Sequence, residues 1–255
     1  MAIGEHKRQE RCTPVTLCAV FFDVFGTLMP YKIIPREIVL AKRANLAGLS
    51  LTPEAVRRGL ETLARQNKSF AMAGQLGGED VARDRTYWVN VFSDVLRACD
   101  VPGDVQPYAV AMCDSFLQTE DFYLDDEALP TLRGLKQRGF LVGVISNAPK
   151  GLARTLDKYG LLPELDVAVG SQDIGIEKPD PGIFHYALSK AGVEPAESAY
   201  VGDEYMTDAK AAEAVGMLGI FLDRNGHRPN TDTVRIRRLS DLLAENSPLN
   251  GRHRG

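Results

Sequence analysis

Hydrophobic positions change their spacing twice along the chain. From Val15 to Phe25 they form a nearly unbroken β-branched and aromatic run. That is the pattern of a strand covered on both faces within a parallel sheet. From about Tyr31 to Thr119 the strand signal disappears and helical spacing replaces it. Thr52 and Pro53 form an N-cap followed by a first-turn proline, after which Val56, Leu60 and Leu63 recur on one helical face. The stretch EDVARDRTYWVNVFSDVLRACD predicts another helix, with Tyr87, Trp88 and Phe92 packed inside the helical unit. Three or four helices are expected in this region.

From Leu124 onward helices alternate with short apolar runs. A helix ending at Gly139 leads to FLVGVI, and one ending at Gly160 leads to DVAVG. IFHYALSKA ends at Gly192 and leads to SAYVG; DAKAAEAV ends at Gly216 and leads to MLGIFL. Repeated helix, glycine and strand units imply right-handed crossovers and parallel strands. The expected fold class is therefore α/β: a doubly wound parallel sheet with an inserted all-helical cap. The expected boundaries are a core over 14–30 and 120–245 and a cap over 31–119, with flexible polar termini at 1–13 and 246–255. Ligands of such sheets bind at the carboxyl ends of the strands.

Composition narrows the partners. A net charge of -4 over 255 residues carries no bias toward nucleic acid or an anionic membrane surface. The apolar run Val15–Phe22 is too short to cross a bilayer and lacks a small-residue cleavage site. Cys12, Cys18, Cys99 and Cys113 form no CxxC or zinc spacing, and read as reduced small hydrophobes of a cytoplasmic protein.

Four of the predicted strands end in polar residues. These are Asp23-Val24-Phe25-Gly26-Thr27, Ser146-Asn147, Lys178-Pro179-Asp180-Pro181 shortly after DVAVG, and Gly202-Asp203 followed by Asp208. Each alone reads as a turn, a helix approach or a cap. Together they bring carboxylates, one ammonium and one hydroxyl to one edge of one sheet, which is a site rather than a set of turns.

The tracts FFDVFGTL, VISNAP, EKPDPGIF and YVGDEYMTDAKAAEAVGM resemble, in order, the four motifs of the haloacid dehalogenase superfamily. The resemblance spans about residues 15 to 240, and the helical insertion is similar to that superfamily's type 1 cap of subfamily IA. A finer resemblance is to the branch named after Reg-2. The resemblance implies that Asp23 is a nucleophile, with Ser146 and Lys178 completing the catalytic set. It implies that Thr27, Ser146, Asn147 and Lys178 bind a small, phosphorylated substrate. It also implies a Mg²⁺ ion held by Asp23, the backbone carbonyl of Phe25, Asp203 and Asp208, with Asp208 either ligating or holding Lys178.

Phe25 departs from the pattern. Phosphatases of the superfamily carry a second Asp there, which protonates the leaving group and then activates water; a phenyl ring does neither. An aromatic residue is instead similar to the superfamily's 2-haloacid dehalogenases, where Lys32 or Arg36 would hold a substrate carboxylate. Asp203 favours metal and phosphate over that reading. The expectation is a Mg²⁺-dependent phosphohydrolase, attenuated at Phe25; the alternatives are a dehalogenase and a non-catalytic phosphate-binding protein. His185 is expected to be packed or on the surface, outside the chemistry.

Overall fold

The computed structural model describes residues 16–32, 35–65, 85–115, 122–226 and 231–250. Lys68, which with Tyr31, Tyr87 and Trp88 the sequence leaves unsorted between lining and packing, lies outside them, as do the first residues of the EDVARDR stretch and both extreme termini. Among the described residues no helix is long and apolar enough to cross a membrane.

Among the described residues six parallel strands form one sheet in the order β3-β2-β1-β4-β5-β6. They are β1 (Ala19–Phe22), β2 (Leu141–Ser146), β3 (Val167–Gly170), β4 (Ser198–Gly202), β5 (Leu218–Leu222) and β6 (Val234–Ile236). β1 is central, with Phe22 in register with Val144 of β2 on one side and Val201 of β4 on the other. The chain winds outward from β1 through β2 and β3, then returns to β4 on the opposite side. The direction of winding reverses at β1, and the crevice above its carboxyl end is the expected binding place.

β1 is buried at every position, which accounts for its unbroken apolar sequence. One face packs Val20, Phe22, Val142, Val144 and Ile220 against the helix Ala128–Gln137 and against Leu239, Leu242 and Leu249. The other packs Phe21, Ile145 and Tyr200 against Ile183, Phe184 and Leu188 of the helix Pro181–Ala191. Each fully buried large side chain of this kind contributes about 1.5–3 kcal/mol.

The insertion between β1 and β2 contains α1 (Arg36–Leu46), α2 (Pro53–Arg65), α3 (Arg85–Ala98) and α4 (Gln106–Ser115). These helices share a separate core of Leu40, Val56, Leu60, Phe92, Val95, Leu96 and Met112. Thr52 caps α2 through its hydroxyl, which accepts from Ala55 N at 3.2 Å. The two chain passages between sheet and insertion lie side by side. Tyr31 and Phe122 form an antiparallel bridge, and Tyr123 N donates to the carbonyl of Pro30 at 3.1 Å.

Two features differ from the sequence reading. β6 is a sixth strand beyond the five expected, a three-residue edge strand pairing with β5. Residues 246–250, expected to be flexible because they are polar, pack on the core: Leu249 is buried in it, and the buried Ser247 hydroxyl donates to Leu242 O at 2.7 Å. One apolar side chain and a tight hydrogen-bonded turn are enough to hold this segment down.

Candidate active site

The strand ends converge as their sequence positions require. Asp23 follows β1 directly, and its backbone N–H donates to Val201 O of β4 at 2.8 Å, fixing the carboxylate at the sheet's upper edge. Ser146 closes β2 and donates its hydroxyl to Asp23 Oδ1 at 2.9 Å. Lys178 Nζ donates to the same oxygen at 2.8 Å, to Asp208 Oδ1 at 2.6 Å and to Tyr200 Oη at 2.9 Å. Those three bonds use every ammonium proton. The bonds from Ser146 and Lys178 to Asp23 both fall on its Oδ1.

Asn147 lines the cleft, but both ends of its carboxamide engage the Lys178 backbone. Its Oδ1 accepts from Lys178 N at 2.7 Å, and its Nδ2 donates to Lys178 O at 2.9 Å. It fixes the lysine. Thr27, expected at the substrate, is fully buried and gives its hydroxyl to Asp203 Oδ1 at 2.9 Å, so it acts through that carboxylate. Tyr200, which sequence reasoning passed over as a strand residue, donates its hydroxyl to Ile145 O at 2.6 Å and receives Lys178. No motif marks it; only its place beside a buried lysine does.

Two glycines make the cluster possible. Gly26 has φ 97°, and a Cβ there would lie 2.3 Å from Asp203 Oδ2. A Cβ on Gly202 would lie 2.3 Å from Asp208 Oδ2. The loop after β1 is also held from outside. Arg224, at the end of β5, donates to Gly26 O and Thr27 O at 2.6 Å each, and to Asp125 Oδ2 at 2.7 Å. Asp125 N in turn donates to Leu28 O at 3.1 Å, so one guanidinium ties the Asp23 loop to the returning passage.

Asp23, Asp203 and Asp208 each offer a carboxylate oxygen within 4.8 Å of one another. Asp208 is placed by Glu204 N, which donates to its Oδ2 at 2.9 Å, in the wide π-turn Tyr205–Lys210 that opens the helix after β4. Burial pushes the Asp23 carboxyl up to about 6, against the pull of Lys178 and with a further push from Asp208. Burial also drives Asp203 well above the usual carboxylate range, as do the charges of Glu204, Asp23 and Asp208; the Thr27 hydrogen bond opposes them. Burial alone would lower Lys178, but Asp208 and Asp23 hold it above its ordinary value. In the ionised state three carboxylates converge where one ammonium, Lys178, pairs with two of them. An all-oxygen donor set of this kind fits a hard divalent cation such as Mg²⁺.

The cluster opens into a cleft enclosing about 850 Å³, including space open to solvent. Phe25, Tyr31, Trp88, Ala148 and Pro149 form its apolar walls, and Arg85, Asp114, Glu177 and Glu204 its charged ones. The Phe25 ring lies 4.7 Å from Phe122, itself 4.6 Å from Tyr31, so tilted ring contacts join the loop after β1 to the two passages. Lys32 and Arg36 are exposed and are not among the lining residues; His185 is exposed on its helix. The cleft's guanidinium is Arg85, paired with Asp114 at 2.6 Å. Helical periodicity placed α3 but did not show that its first turn faces the sheet.

Residues 18–216 match the model of the haloacid dehalogenase-like hydrolases. The chain is 37% identical to the mouse haloacid dehalogenase-like hydrolase domain-containing protein 3, covering 84% of each chain. It is 28% identical to a glyceraldehyde 3-phosphate phosphatase from Methanopyrus kandleri, over 89% of this chain and 97% of that one. Its fold is similar to that of a predicted phosphoglycolate phosphatase from Haemophilus somnus. That comparison has a TM-score of 0.61 and 20% identity, covering 89% and 96% of the two chains. With strand ends, insertion and cluster matching that pattern, the chain belongs to the haloacid dehalogenase-like hydrolases.

Proposed function

We propose that this chain is a Mg²⁺-dependent phosphohydrolase acting on a small phosphorylated metabolite, with activity attenuated at Phe25. The observation that carries the reading is Asp203: a third carboxylate within 4.8 Å of Asp23 and Asp208 has a chemical purpose when a cation joins the cluster. Asp23, the Phe25 carbonyl, Asp203 and Asp208 would hold Mg²⁺. When bound, the ion would neutralise charge that otherwise repels a phosphate.

The remaining work falls to side chains. Asp23 Oδ2 attacks phosphorus, forming an aspartyl-phosphate as the bond to the leaving oxygen breaks. Lys178 and Ser146 hold Asp23 Oδ1, fixing the attacking carboxylate and offsetting charge on the transferring group. Water then attacks phosphorus and releases the carboxylate. At position 25 no proton donor serves either half, which costs about 10²- to 10⁴-fold in rate. Relatives named as phosphatases support the reading. They are the Methanopyrus protein and a Thermus thermophilus phosphoserine phosphatase, 32% identical over 88% of this chain and 95% of its own. Likeness to domain-containing protein 3 supports placement in the Reg-2-like branch.

The aromatic Phe25 favours a second reading, 2-haloacid dehalogenation, in which no leaving-group proton is needed. Phosphate esters and 2-haloacids assayed with and without EDTA separate the two. Phosphate release that is abolished by chelator and by Asp23→Asn is expected. Chelator-resistant turnover of 2-haloacids alone would transfer the proposal to the second reading, and neither activity would leave a binding protein.

A further inference from the structure

We infer that the cleft selects aryl phosphates, monophosphates of aromatic hydroxyl compounds that carry no second acidic group. This rests on the phosphohydrolase reading above and adds the chemistry of the leaving group. Three observations converge on it: the supply of protons, the walls and the charge of the rim.

The carboxylates of the cluster are already committed. Asp208 accepts from Lys178 and from Glu204 N, Asp203 accepts from Thr27, and Asp23 is the nucleophile. The side chain on the cleft wall two residues beyond Asp23 is Phe25, 7% exposed and held against Phe122. It has no proton to give. A leaving oxygen departing here is best served by a group that is stable as an anion, and a phenolate delocalises its charge where an alkoxide cannot.

The walls fit such a group. Phe25, Tyr31 and Trp88 present aromatic surface from the nucleophile loop, the first passage and α3 respectively. Trp88 is steadied by Tyr87 edge-on at 5.3 Å and by Phe92 at 6.1 Å. Flat aromatic ligands gain from stacked and edge contacts beyond simple burial.

The rim argues against a second anion. Among the described lining residues outside the cluster are Asp114, Glu177, Glu204 and Arg85, three acidic side chains and one basic. Asp114 holds that guanidinium at 2.6 Å. A phosphorylated carboxylic acid would meet repulsion there, whereas a neutral or amino-substituted ring would not.

The test compares substituted phenyl phosphates of graded leaving-group acidity, alkyl phosphates, acetyl phosphate and 4-carboxyphenyl phosphate, all with Mg²⁺ and intact protein. Acetyl phosphate has a good leaving group but no ring, so it separates proton demand from aromatic recognition. Expected is a kcat/KM that climbs steeply with leaving-group acidity, with alkyl phosphates about 10²- to 10⁴-fold below phenyl phosphates. Neutral phenyl phosphates should exceed the 4-carboxy compound. Trp88→Ala, or Trp88→Leu if the first folds poorly, should raise KM for phenyl phosphate about 2- to 10-fold more than it raises KM for acetyl phosphate. Equal rates on alkyl and aryl phosphates overturn the inference while leaving the phosphohydrolase reading standing. So does a flat dependence that becomes steep in Glu204→Gln, because Glu204 would then be the missing donor. No phosphate release from any of these compounds, acetyl phosphate included, overturns both.

Discussion

Lys178→Met is the most informative single change, because it removes a cation bonded within the buried cluster, the only one there among the described residues, and leaves its volume nearly filled. Lys178 is 3% exposed and its ammonium joins Asp23, Asp208 and the Tyr200 hydroxyl. Breaking a buried ion pair from one side costs about 3–5 kcal/mol, since the remaining charge is stranded. Here two carboxylates are stranded, with Asp203 within 4.8 Å of both. Protonation offers relief, and it sets the pH dependence. Asp23 already sits near 6 with the lysine present, above its ordinary 3.8, so without that cation it rises further. A carboxyl whose folded value is raised destabilises the fold as pH climbs through the window between its unfolded and folded values. The variant's deficit should therefore be small near pH 4 and grow toward pH 8, by at most about 1.4 kcal/mol per pH unit for each proton involved. Urea unfolding of both proteins at pH 4.5, 6 and 8 measures it, and added Mg²⁺ should recover part of the loss. A deficit under about 1 kcal/mol that does not vary with pH would refute the electrostatic account of the cluster.

Phe25→Asp should raise alkyl phosphate hydrolysis about 10²- to 10⁴-fold if a proton donor is what the site lacks, measured as phosphate release; circular dichroism should accompany it because the ring packs on Phe122. Gly26→Ala drives a methyl to 2.3 Å from Asp203 Oδ2 at a backbone φ of 97°. It should weaken Mg²⁺ binding at least about tenfold and cost about 1–3 kcal/mol of stability, read by calorimetry and urea unfolding. Arg224→Met removes the clamp on Gly26, Thr27 and Asp125 and should cost about 1.5–3 kcal/mol, with kcat falling more than KM rises. Burial pushes the Cys113 thiol up to about 11, so at pH 8 roughly one thiol in a thousand is ionised. Iodoacetamide mapping by mass spectrometry should find Cys113 labelled far more slowly than the exposed Cys18.

What was legible in the sequence depended on what kind of physical constraint each residue answers to. The convergence of Asp23, Ser146, Lys178, Asp203 and Asp208 could be read because each lies at or within a few residues beyond the end of a strand whose apolar run or flanking glycines are unmistakable, and a parallel sheet brings such ends together. Their individual bonds could not. The resemblance implies substrate contacts for Thr27 and Asn147, but it does not reveal that Thr27 donates to Asp203 or that Asn147, which lines the cleft, also holds the Lys178 backbone. A short polar side chain next to a charged one is often spent on positioning it. Tyr200 was hidden by its strand: alternation explains its burial, and nothing local reveals a lysine beneath its hydroxyl. Arg85 and Asp114 carry no such signal, and Tyr31 and Trp88 cannot be sorted into lining or packing residues, because helical spacing separates inside from outside within the insertion but does not orient the insertion against the sheet. β6 was missed because Val234-Arg235-Ile236 is too short for period-two alternation to register.

The central claim, that Asp23 is a nucleophile toward phosphorus, is tested most directly by acid quenching during turnover of phenyl phosphate with Mg²⁺, followed by mass spectrometry of the peptide containing Asp23. One phosphoryl group on Asp23, absent in Asp23→Asn, is the predicted result. Sustained phosphate release with no adduct, and with Asp23→Asn still active, would contradict it.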